Sequence, residues 1–345
     1  MPLALRPVSE QVIVLTGASS GIGLVTARMA AAQGARLVLA ARNEEALRSL
    51  VEEIRAGGGR AVHVVADVGV EDDVKRIAEV ALAEYGRFDT WVNNAGVSIF
   101  GTIDEVSVRD MRRVYDTVLW GVVYGSLAAI RHYEQRGDSA GALINIGSVF
   151  GDRNTPLQST YGSAKHAVHG WTDALRMEME AKKAPVSVTL IHPGRIDTPY
   201  NEHAQSYIKD QPAHRGMIYP PEAVARAILY AAHAPVRDVY VGFQAKAVAL
   251  AGALMPRLLD RVMERYMFSS QRVDRPAVPR EESALHHAGY GLHERGRHSG
   301  WHRSGSFYAR ATEHPGLRRV AAWVAVPAAV LAARRFLDAS GARDS

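Results

Sequence analysis

A tyrosine and a lysine lie one helical turn apart in the stretch YGSAKHAVHG, which begins at Tyr161 and contains Lys165. A free phenol has a pKa of about 10, which is too high for efficient proton transfer near neutral pH. A cation one turn along the same helix stabilises the phenolate, so Lys165 is expected to lower that pKa. The stretch therefore predicts a tyrosine that exchanges protons with a bound molecule, 13 residues after Ser148.

A glycine-rich turn, TGASSGIG at residues 16–23, follows the first predicted strand and precedes a predicted helix. Its glycines, Gly17, Gly21 and Gly23, permit a tight turn, close approach of the backbone to a pyrophosphate, and close packing of the helix on the sheet. The start of that helix offers free N–H groups to phosphate oxygens. The turn therefore predicts a dinucleotide-binding loop.

The second predicted strand ends in LAAR, where NAD-binding proteins usually carry an acidic residue that bonds the ribose hydroxyls. Ala40 and Ala41 are followed by Arg42, whose guanidinium can bind a 2′-phosphate with two hydrogen bonds. We therefore expect NADP(H) to be preferred over NAD(H). The alternative is that Arg42 is a surface residue at the start of a helix.

Short β-branched runs alternate with longer amphipathic segments as far as about residue 243, and this alternation predicts a parallel sheet covered by helices on both faces. The fold class is therefore α/β, a Rossmann-like doubly wound sheet of about seven strands, and such sheets bind ligands at the carboxyl ends of their strands. The runs are VIVL at 12–15, RLVLA at 36–40, AVHVVA at 61–66, FDTWVN at 88–93, ALINI at 142–146, VSVTLI at 186–191 and DVYVG at 238–242.

The alternation stops near residue 245, which divides the chain into a catalytic domain, 1–245, and a mostly helical and irregular C-terminal extension, 246–345. The extension contains 16 Lys and Arg and 9 Asp and Glu. Its net charge of +7 exceeds the +5 of the whole chain, so the catalytic domain carries −2. No basic run is interleaved densely with aromatic residues, and we expect no nucleic-acid partner.

Within the extension we expect a helix broken by Pro256, then a loop or partly disordered stretch at 270–316. Residues 320–333 are uncharged but contain Pro327, and this run is shorter than the roughly 20 residues that span a bilayer. Two interpretations stay open for this segment. It is either a helix docked on the catalytic domain, or an interfacial helix between arginine pairs that gives peripheral contact with a membrane.

Several other classes of site are excluded by residue type or spacing. The chain has no cysteine, which removes disulfides and thiolate chemistry. The tail histidines His286, His287, His293, His298 and His302 have loop-like spacing, so no metal site is predicted. His166 and His169 are expected to point to other faces of the Tyr161 helix. The N-terminus shows no secretory signal pattern, and we expect cytoplasmic localisation.

Five motifs, in this order, together resemble the short-chain dehydrogenase/reductases, in their single-domain branch. The resemblance covers about residues 8–243, and the spacing between the serine and tyrosine motifs is the usual one in that family. The motifs are TGASSGIG, NNAG at 93–96, Ser148, YGSAK at 161–165 and HPGRIDTP from His192.

This resemblance implies roles for the three polar residues introduced above. Tyr161 would be the general acid toward a carbonyl, or the base toward an alcohol. Ser148 would hydrogen-bond the reacting oxygen and polarise it. Lys165 would hold the nicotinamide ribose as well as assist Tyr161.

The resemblance also implies the residues that contact the dinucleotide. Ser19, Ser20 and Ile22 would touch the phosphates, and Asp67 and Val68 would flank the adenine. The remaining implied contacts are Asn94, Ala95 and Gly96 after the fourth strand, and Pro193, Gly194, Ile196 and Thr198 around the carboxamide.

One position departs from the family pattern. The family usually places an asparagine in the helix after NNAG, where it helps to position a proton-relay water. In YDTVLWG that position is Val118, whose apolar side chain cannot hold a water molecule. If the register differs by one residue, Thr117 takes its place.

The substrate is predicted to be hydrophobic. The long loop after Pro199 follows the cofactor-binding turn and is expected to cover the substrate. Four apolar or aromatic residues, Phe100, Phe150, Leu157 and Tyr200, are placed to line an apolar pocket for a ketone, an aldehyde or a secondary alcohol.

The leading hypothesis is an NADP(H)-dependent oxidoreductase that interconverts a carbonyl and an alcohol by hydride transfer. An alternative, motivated by Val118, is a cofactor-binding protein with little or no turnover that acts through the extension. The resemblance also implies a homodimer or homotetramer built on the helices near 107–133 and 159–182.

Overall fold

The computed structural model describes residues 3–137, 139–213, 216–297, 301–306 and 309–310. Its centre is one sheet of seven parallel strands, and these strands coincide with the seven apolar runs of the sequence. They are β1 (Val12–Thr16), β2 (Arg36–Ala41), β3 (Arg60–Val65), β4 (Thr90–Asn93), β6 (Gly141–Ile146), β7 (Val186–Pro193) and β11 (Asp238–Val241). The two-residue strand β5 (Ile99–Phe100) follows β4 in the chain but is not part of this sheet.

Helices connect these strands, and most of them lie on the faces of the sheet. They are α1 (Gly21–Ala32), α2 (Glu44–Ala56), α3 (Glu71–Tyr85), α4 (Val108–Tyr115), α5 (Gly121–Arg136), α6 (Val149–Asp152), α7 (Ser159–Ala181), α8 (Tyr200–His203) and α9 (Pro221–His233). A π-helical turn, Asp116–Trp120, joins α4 to α5.

The sheet order is β11-β7-β6-β4-β1-β2-β3. The chain therefore runs outward from β1 to one edge, returns to β4 beside β1, and then continues to the other edge. The connections after β1 and β4 leave in opposite directions, which opens a crevice at their carboxyl ends. The predicted α/β doubly wound fold is confirmed.

The two faces of the sheet bury separate apolar cores because successive side chains of a strand point to opposite sides. In β1, Ile13 and Leu15 pack on the side of α1, α2 and α9. Val12 and Val14 pack on the side of α3, α5 and α7. All four side chains are at most 1% exposed.

The extension begins with two helices, α10 (Phe243–Leu254) and α11 (Pro256–Ser270), so the break expected at Pro256 is present. Residues after 270 then form β12 (Arg272–Pro276) and β13 (Trp301–His302) rather than loop alone. These strands pair with the loop after Pro199, which contains β8 (Gln205–Ser206), β9 (Asp210–Pro212) and β10 (Met217–Ile218).

The apolar segment at 320–333, for which a docked or an interfacial helix is predicted, lies outside the described residues. Among the described helices, none has the length and apolar character needed to cross a bilayer.

A buried carboxylate ties the amino ends of two central strands to the end of α5. Asp89 is 3% exposed, and its Oδ2 accepts a hydrogen bond of 2.8 Å from the backbone N–H of Val12. Its Oδ1 pairs with Nη1 of Arg136 at 3.0 Å, and Arg87 lies at 3.3 Å. Breaking a buried pair is costly because the remaining charge stays away from water.

We therefore expect Asp89→Asn to lower the free energy of unfolding by about 3 kcal/mol, since Arg136 loses its buried counter-charge. Urea unfolding followed by circular dichroism measures the change. Asp72→Asn is the matched control: Asp72 pairs with Lys75 on α3, but its side chain is 86% exposed. The control is expected to change stability by less than about 1 kcal/mol. Equal effects of the two substitutions would contradict the assignment.

Candidate active site

One cavity runs along the carboxyl ends of the central strands and brings most of the predicted site residues together. Ser148, Tyr161 and Lys165 line it at one end. Gly23 is not among its lining residues. The other predicted cofactor residues that line it are Gly17, Ser19, Ser20, Gly21, Ile22, Arg42, Asp67, Val68, Asn94, Ala95, Gly96, Pro193, Gly194, Ile196 and Thr198.

The glycine-rich turn packs so closely that side chains at its glycines would collide with the backbone. A Cβ on Gly23 would lie 2.0 Å from the carbonyl oxygen of Gly17, and one on Gly17 would lie 2.8 Å from Cα of Ala95. Gly17 also has a φ of +68°, which favours glycine. Gly23 therefore allows the close packing of the turn although it does not line the cavity. Gly21 and Ile22 in the first turn of α1 line the cavity; the N–H of Gly21 donates to the carbonyl oxygen of His293, and the other N–H groups of this turn suit a pyrophosphate.

The hydroxyls of Tyr161 and Ser148 are hydrogen-bonded to each other in the wall of the cavity. Ser148 is the N-cap of α6, and its Oγ accepts a hydrogen bond of 3.1 Å from the N–H of Phe150. Tyr161 is on the first turns of α7, hydrogen-bonds the side chains of Ser148 and Tyr200, and packs edge-on against the ring of Tyr200 at 5.4 Å. Two hydroxyls thus converge on one point of the cavity, where a reacting oxygen can bind.

Lys165 lies one turn along α7 and is almost fully buried, with 4% exposure. Its Nζ donates a hydrogen bond of 2.6 Å to the carbonyl oxygen of Ile146, and it lies 5.8 Å from the centre of the Tyr161 ring. Burial disfavours the charged amine and lowers the pKa of Lys165 from 10.5 to about 8.

The expected lowering of the Tyr161 pKa is wrong for this structure. Burial raises the pKa of Tyr161 above its ordinary value of 10, and the hydrogen bonds with Ser148 and Tyr200 oppose that rise only in part. Desolvation penalises the phenolate more than these two hydrogen bonds stabilise it. Tyr161 is therefore a neutral hydrogen-bond donor at neutral pH, which is the form of a general acid.

Thr117 supplies a polar group next to Val118, the residue that departs from the family pattern. Val118 is fully buried in an apolar cluster and does not line the cavity. Thr117 lines the cavity, and its hydroxyl oxygen is buried with no hydrogen-bond partner in the described part of the chain. The one-residue shift considered from the sequence therefore brings Thr117, not Val118, to the cavity.

The predicted substrate residues fall into two pairs. Phe150 and Tyr200 line the cavity beside Tyr161. Phe100 and Leu157 are buried but are not among its lining residues. Phe100 lies in β5, which pairs with β8, and the carbonyl oxygen of Leu157 accepts a hydrogen bond of 2.9 Å from the N–H of Gly101. Two of the four predicted substrate residues therefore border the cavity beside the hydroxyls of Tyr161 and Ser148.

Sequence reasoning missed His169, which was expected to point away. Its Nε2 accepts a hydrogen bond of 3.3 Å from the N–H of Ser148, and a Cβ on Gly147 or Gly151 would lie 2.4 Å from that nitrogen. Burial lowers the pKa of His169, which keeps the ring neutral. The ring therefore links α7 to the turn that carries Ser148. The glycines on both sides of Ser148 were the available signal.

A polar cluster continues behind this ring. Asp152 lies 3.5 Å from Nδ1 of His169 and 3.0 Å from Nδ1 of His192, and His192 approaches Asp238 at 3.4 Å. Asp152, His169 and His192 form a group of metal-ligating types in the described residues. The hydrogen bonds among them already occupy these ligand atoms, so the group is a network that fixes the Ser148 turn and the end of β7.

Residues 283–297 of the extension, here called the strap, cross the other end of the cavity. The guanidinium of Arg42 donates to the carbonyl oxygens of Ala284 and Leu285, the second at 3.1 Å. Asp67 pairs with Arg113, and this interaction holds the pKa of Asp67 below its usual range although burial acts to raise it. Sequence reasoning missed the strap because nothing local in the sequence places it beside Arg42.

A doubly wound sheet, a glycine cradle and two converging hydroxyls define a dinucleotide-binding protein of the Rossmann-like class. The family model described as short chain dehydrogenase matches residues 11–208, which is more than half of the chain. The chain belongs to the short-chain dehydrogenase family, whose members are oxidoreductases with a nicotinamide cofactor.

Several relatives agree with this assignment. The chain is 63% identical over 314 residues to "Uncharacterized oxidoreductase YxnA" of Bacillus subtilis, covering 91% of this chain and 88% of the relative. It is 34% identical over 260 residues to "Putative oxidoreductase SadH" of Mycobacterium tuberculosis, covering 73% and 94%. The YxnA match leaves out about a tenth of this chain, so it includes most of the extension.

A solved structure is also similar. A short-chain type dehydrogenase/reductase from Mycobacterium marinum superposes with a TM-score of 0.59 at 26% identity, covering 68% of this chain and 94% of the other. The fold of the catalytic domain is thus the fold of the family.

The buried amine predicts a cost in stability. A pKa near 8 in the folded chain, against 10.5 when unfolded, corresponds to about 3 kcal/mol below pH 8, and this cost disappears as the pH rises toward 10.5. Lys165→Met also loses a hydrogen bond of about 1 kcal/mol. We expect this variant to be about 2 kcal/mol more stable than the unaltered chain at pH 7, with a smaller gain at pH 9.5.

Urea unfolding at the two pH values measures this difference. Lys182→Met, at an exposed lysine just after α7, is the matched control and is expected to leave stability unchanged at both. A Lys165→Met variant that is no more stable than the unaltered chain at pH 7 would refute the assigned cost.

Proposed function

We propose that this chain is an NADP(H)-dependent oxidoreductase that interconverts a carbonyl and an alcohol on an apolar substrate. The observation that carries the proposal is the convergence of the Tyr161 and Ser148 hydroxyls on one point of the cavity that also passes the glycine-rich turn. A carbonyl oxygen at that point would receive two hydrogen bonds.

In the direction of reduction, Tyr161 donates its proton to the oxygen as negative charge develops there. The phenol is protonated at neutral pH, as this direction requires, although its raised pKa makes it a weaker acid than a free tyrosine. Ser148 hydrogen-bonds the same oxygen and holds the carbonyl in line. When bound, the nicotinamide supplies or accepts the hydride at the substrate carbon. Lys165 lines the same cavity and would hold a ribose hydroxyl of the bound dinucleotide.

Thr117 is proposed as the polar residue that serves the position usually held by an asparagine. Support comes from its position: Thr117 lines the cavity, and its buried hydroxyl has no hydrogen-bond partner in the described residues. A hydroxyl can hold a water molecule as donor and acceptor, whereas the side chain of Val118 cannot. Thr117 would then supply the polar group that Val118 lacks.

The apolar character of the substrate is proposed from the walls around the hydroxyls. Phe150 and Tyr200 present rings to the cavity. The Tyr200 hydroxyl donates to Oε1 of Gln158 at 2.8 Å, which fixes the ring edge-on to Tyr161. A ketone or aldehyde with a hydrophobic body fits between such rings better than a charged molecule.

Arg42 is proposed as the ligand of the 2′-phosphate of NADP(H). It lies directly after β2, lines the cavity, and uses two of its five N–H groups for the strap carbonyls. The other three have no hydrogen-bond partner among the described residues and could bind a phosphate. Asn43, beside it, caps α2 and offers no carboxylate that would repel that phosphate.

A homo-oligomer built on the helices near 107–133 and 159–182 stays a prediction. It is supported by exposed apolar side chains on these helices and on the π-helical turn, since such surfaces are often buried between subunits. The exposed fractions are 45% for Trp120, 37% for Leu127 and 64% for Met177.

The proposed reaction is tested by NADPH oxidation with a panel of apolar ketones and aldehydes. We expect activity in the unaltered chain and a loss of at least about 100-fold in kcat for Tyr161→Phe, because the proton donor is removed. Tyr85→Phe, at a half-buried tyrosine at the end of α3, is the matched control and is expected to retain full activity.

Undiminished activity of Tyr161→Phe would overturn the mechanism. If the unaltered chain binds NADPH but turns over no member of the panel, the alternative of a cofactor-binding protein that acts through the extension gains support. Both results come from the same preparation, because binding is read from NADPH fluorescence and turnover from its absorbance.

The cofactor preference is tested by Arg42→Ala. We expect the dissociation constant for NADPH to rise by about tenfold to 100-fold, and that for NADH to change much less, because only NADPH carries the 2′-phosphate. Arg48→Ala, at an exposed arginine on α2, is the control with no expected effect. Tighter binding of NADH than of NADPH by the unaltered chain would refute the preference.

A further inference from the structure

The strap, residues 283–297, is bonded to the glycine-rich turn through the backbone. The N–H of Leu292 donates to the carbonyl oxygen of Ser19 at 2.8 Å, and the N–H of Gly21 donates to the carbonyl oxygen of His293 at 2.9 Å. These two bonds run in both directions between the strap and the turn. The strap therefore lies alongside the loop proposed to hold the pyrophosphate.

The middle of the strap covers the segment after β2. Asn43 donates its Nδ2 to the carbonyl oxygen of Gly289 at 2.9 Å while its Oδ1 caps α2. Together with the bonds from Arg42 to Ala284 and Leu285, this places strap carbonyls around the proposed 2′-phosphate ligand. Arg42 thus belongs to the cavity and to the strap at once.

The strap is anchored at both of its ends. The side chain of Leu285 is fully buried in the apolar cluster that contains Val118, and His286 pairs with Asp110 on α4 at 2.7 Å. At the far end, the N–H of Gly296 donates to Oδ1 of Asp197 at 3.2 Å. The strap therefore spans the cavity from α4 to the segment that follows β7.

Ionic contacts reinforce the far end. Glu294 pairs with Arg28 on α1 at 2.6 Å, and Arg295 pairs with Glu222 on α9 at 2.7 Å. Both pairs are partly exposed, so each contributes little by itself. Their role is to hold the strap across the opening rather than to stabilise the fold.

The strap closes the cavity without filling it. Ala284, Ala288 and Gly289 line the same continuous cavity as Ser19 and Lys165. Space for an extended molecule therefore remains beneath the strap. A dinucleotide held along that cavity would have the strap between its adenosine half and solvent.

We propose that the strap is a clamp of the cofactor site: it closes over the adenosine half of the dinucleotide and limits the rate at which the cofactor leaves. This inference rests on the proposed function, because it assumes that the cavity binds NADP(H). Cofactor release requires the strap to break its bonds with Ser19, Gly21 and Asn43. Arg42 couples cofactor release to opening of the strap, since it bonds the strap carbonyls and would also bind the 2′-phosphate.

Gly291→Val tests the clamp without altering a residue that lines the cavity. A Cβ on Gly291 would lie 2.2 Å from Cβ of Ala46 on α2, so a side chain there pushes the strap away from the domain. Gly305→Val is the matched control, because a Cβ at Gly305 meets nothing closer than 3.5 Å. Both variants are made in the full-length chain, and their folding is verified by thermal unfolding.

Stopped-flow displacement of bound NADPH measures the dissociation rate. We expect release about tenfold faster from Gly291→Val than from the unaltered chain, and an unchanged rate for Gly305→Val. An unchanged or slower release from a folded Gly291→Val variant would overturn the clamp. If the unaltered chain binds neither NADPH nor NADH, the proposed function fails instead, so the two failures are distinguishable.

A second measurement needs no substitution. Arg295 and Arg297 are exposed trypsin sites on the strap, and the backbone N–H groups of Gly296 and Arg297 must leave their hydrogen bonds before this segment can enter the protease. Arg261, exposed on α11, does not line the cavity. We expect saturating NADP+ to slow cleavage at Arg295 and Arg297 by about fivefold and to leave cleavage at Arg261 unchanged. Equal cleavage of the strap with and without NADP+ would also overturn the proposal.

Discussion

The site depends on how β1 and β4 are held side by side while the connections that follow them diverge. Thr16, the last residue of β1, accepts a hydrogen bond of 3.0 Å at Oγ1 from the N–H of Asn94, and Asn94 returns one of 2.9 Å from Nδ2 to the carbonyl oxygen of Thr16. This pair fixes the floor of the crevice. The glycine-rich turn rises on one side of it and the strand that leads to Ser148 on the other.

The sequence was sufficient for the features that depend on local chemistry. The seven strands follow from short apolar runs, since a parallel strand buried on both faces needs apolar side chains at every position. Gly17 and Gly23 follow from a backbone that leaves no room for a Cβ. Tyr161 and Lys165 follow from helical spacing, and the structure places both on one wall of the cavity.

Other features depend on contacts that no local pattern records. Burial raises the pKa of Tyr161, and two hydrogen bonds oppose that rise only in part. The spacing between Tyr161 and Lys165 does not reveal this burial. A π-helical turn adds a residue to the helix and rotates the side chains that follow, so the choice between Thr117 and Val118 required coordinates. His169 reaches Ser148 because the flanking glycines leave space for its ring.

The bonds between the strap and the glycine-rich turn also order the assembly of the molecule in time. Leu292 bonds to Ser19 but is synthesised 273 residues after it. At ribosomal speed the interval is on the order of tens of seconds. The catalytic domain can therefore form its sheet during synthesis with an uncovered crevice, and the covered form arises only when the extension has left the ribosome.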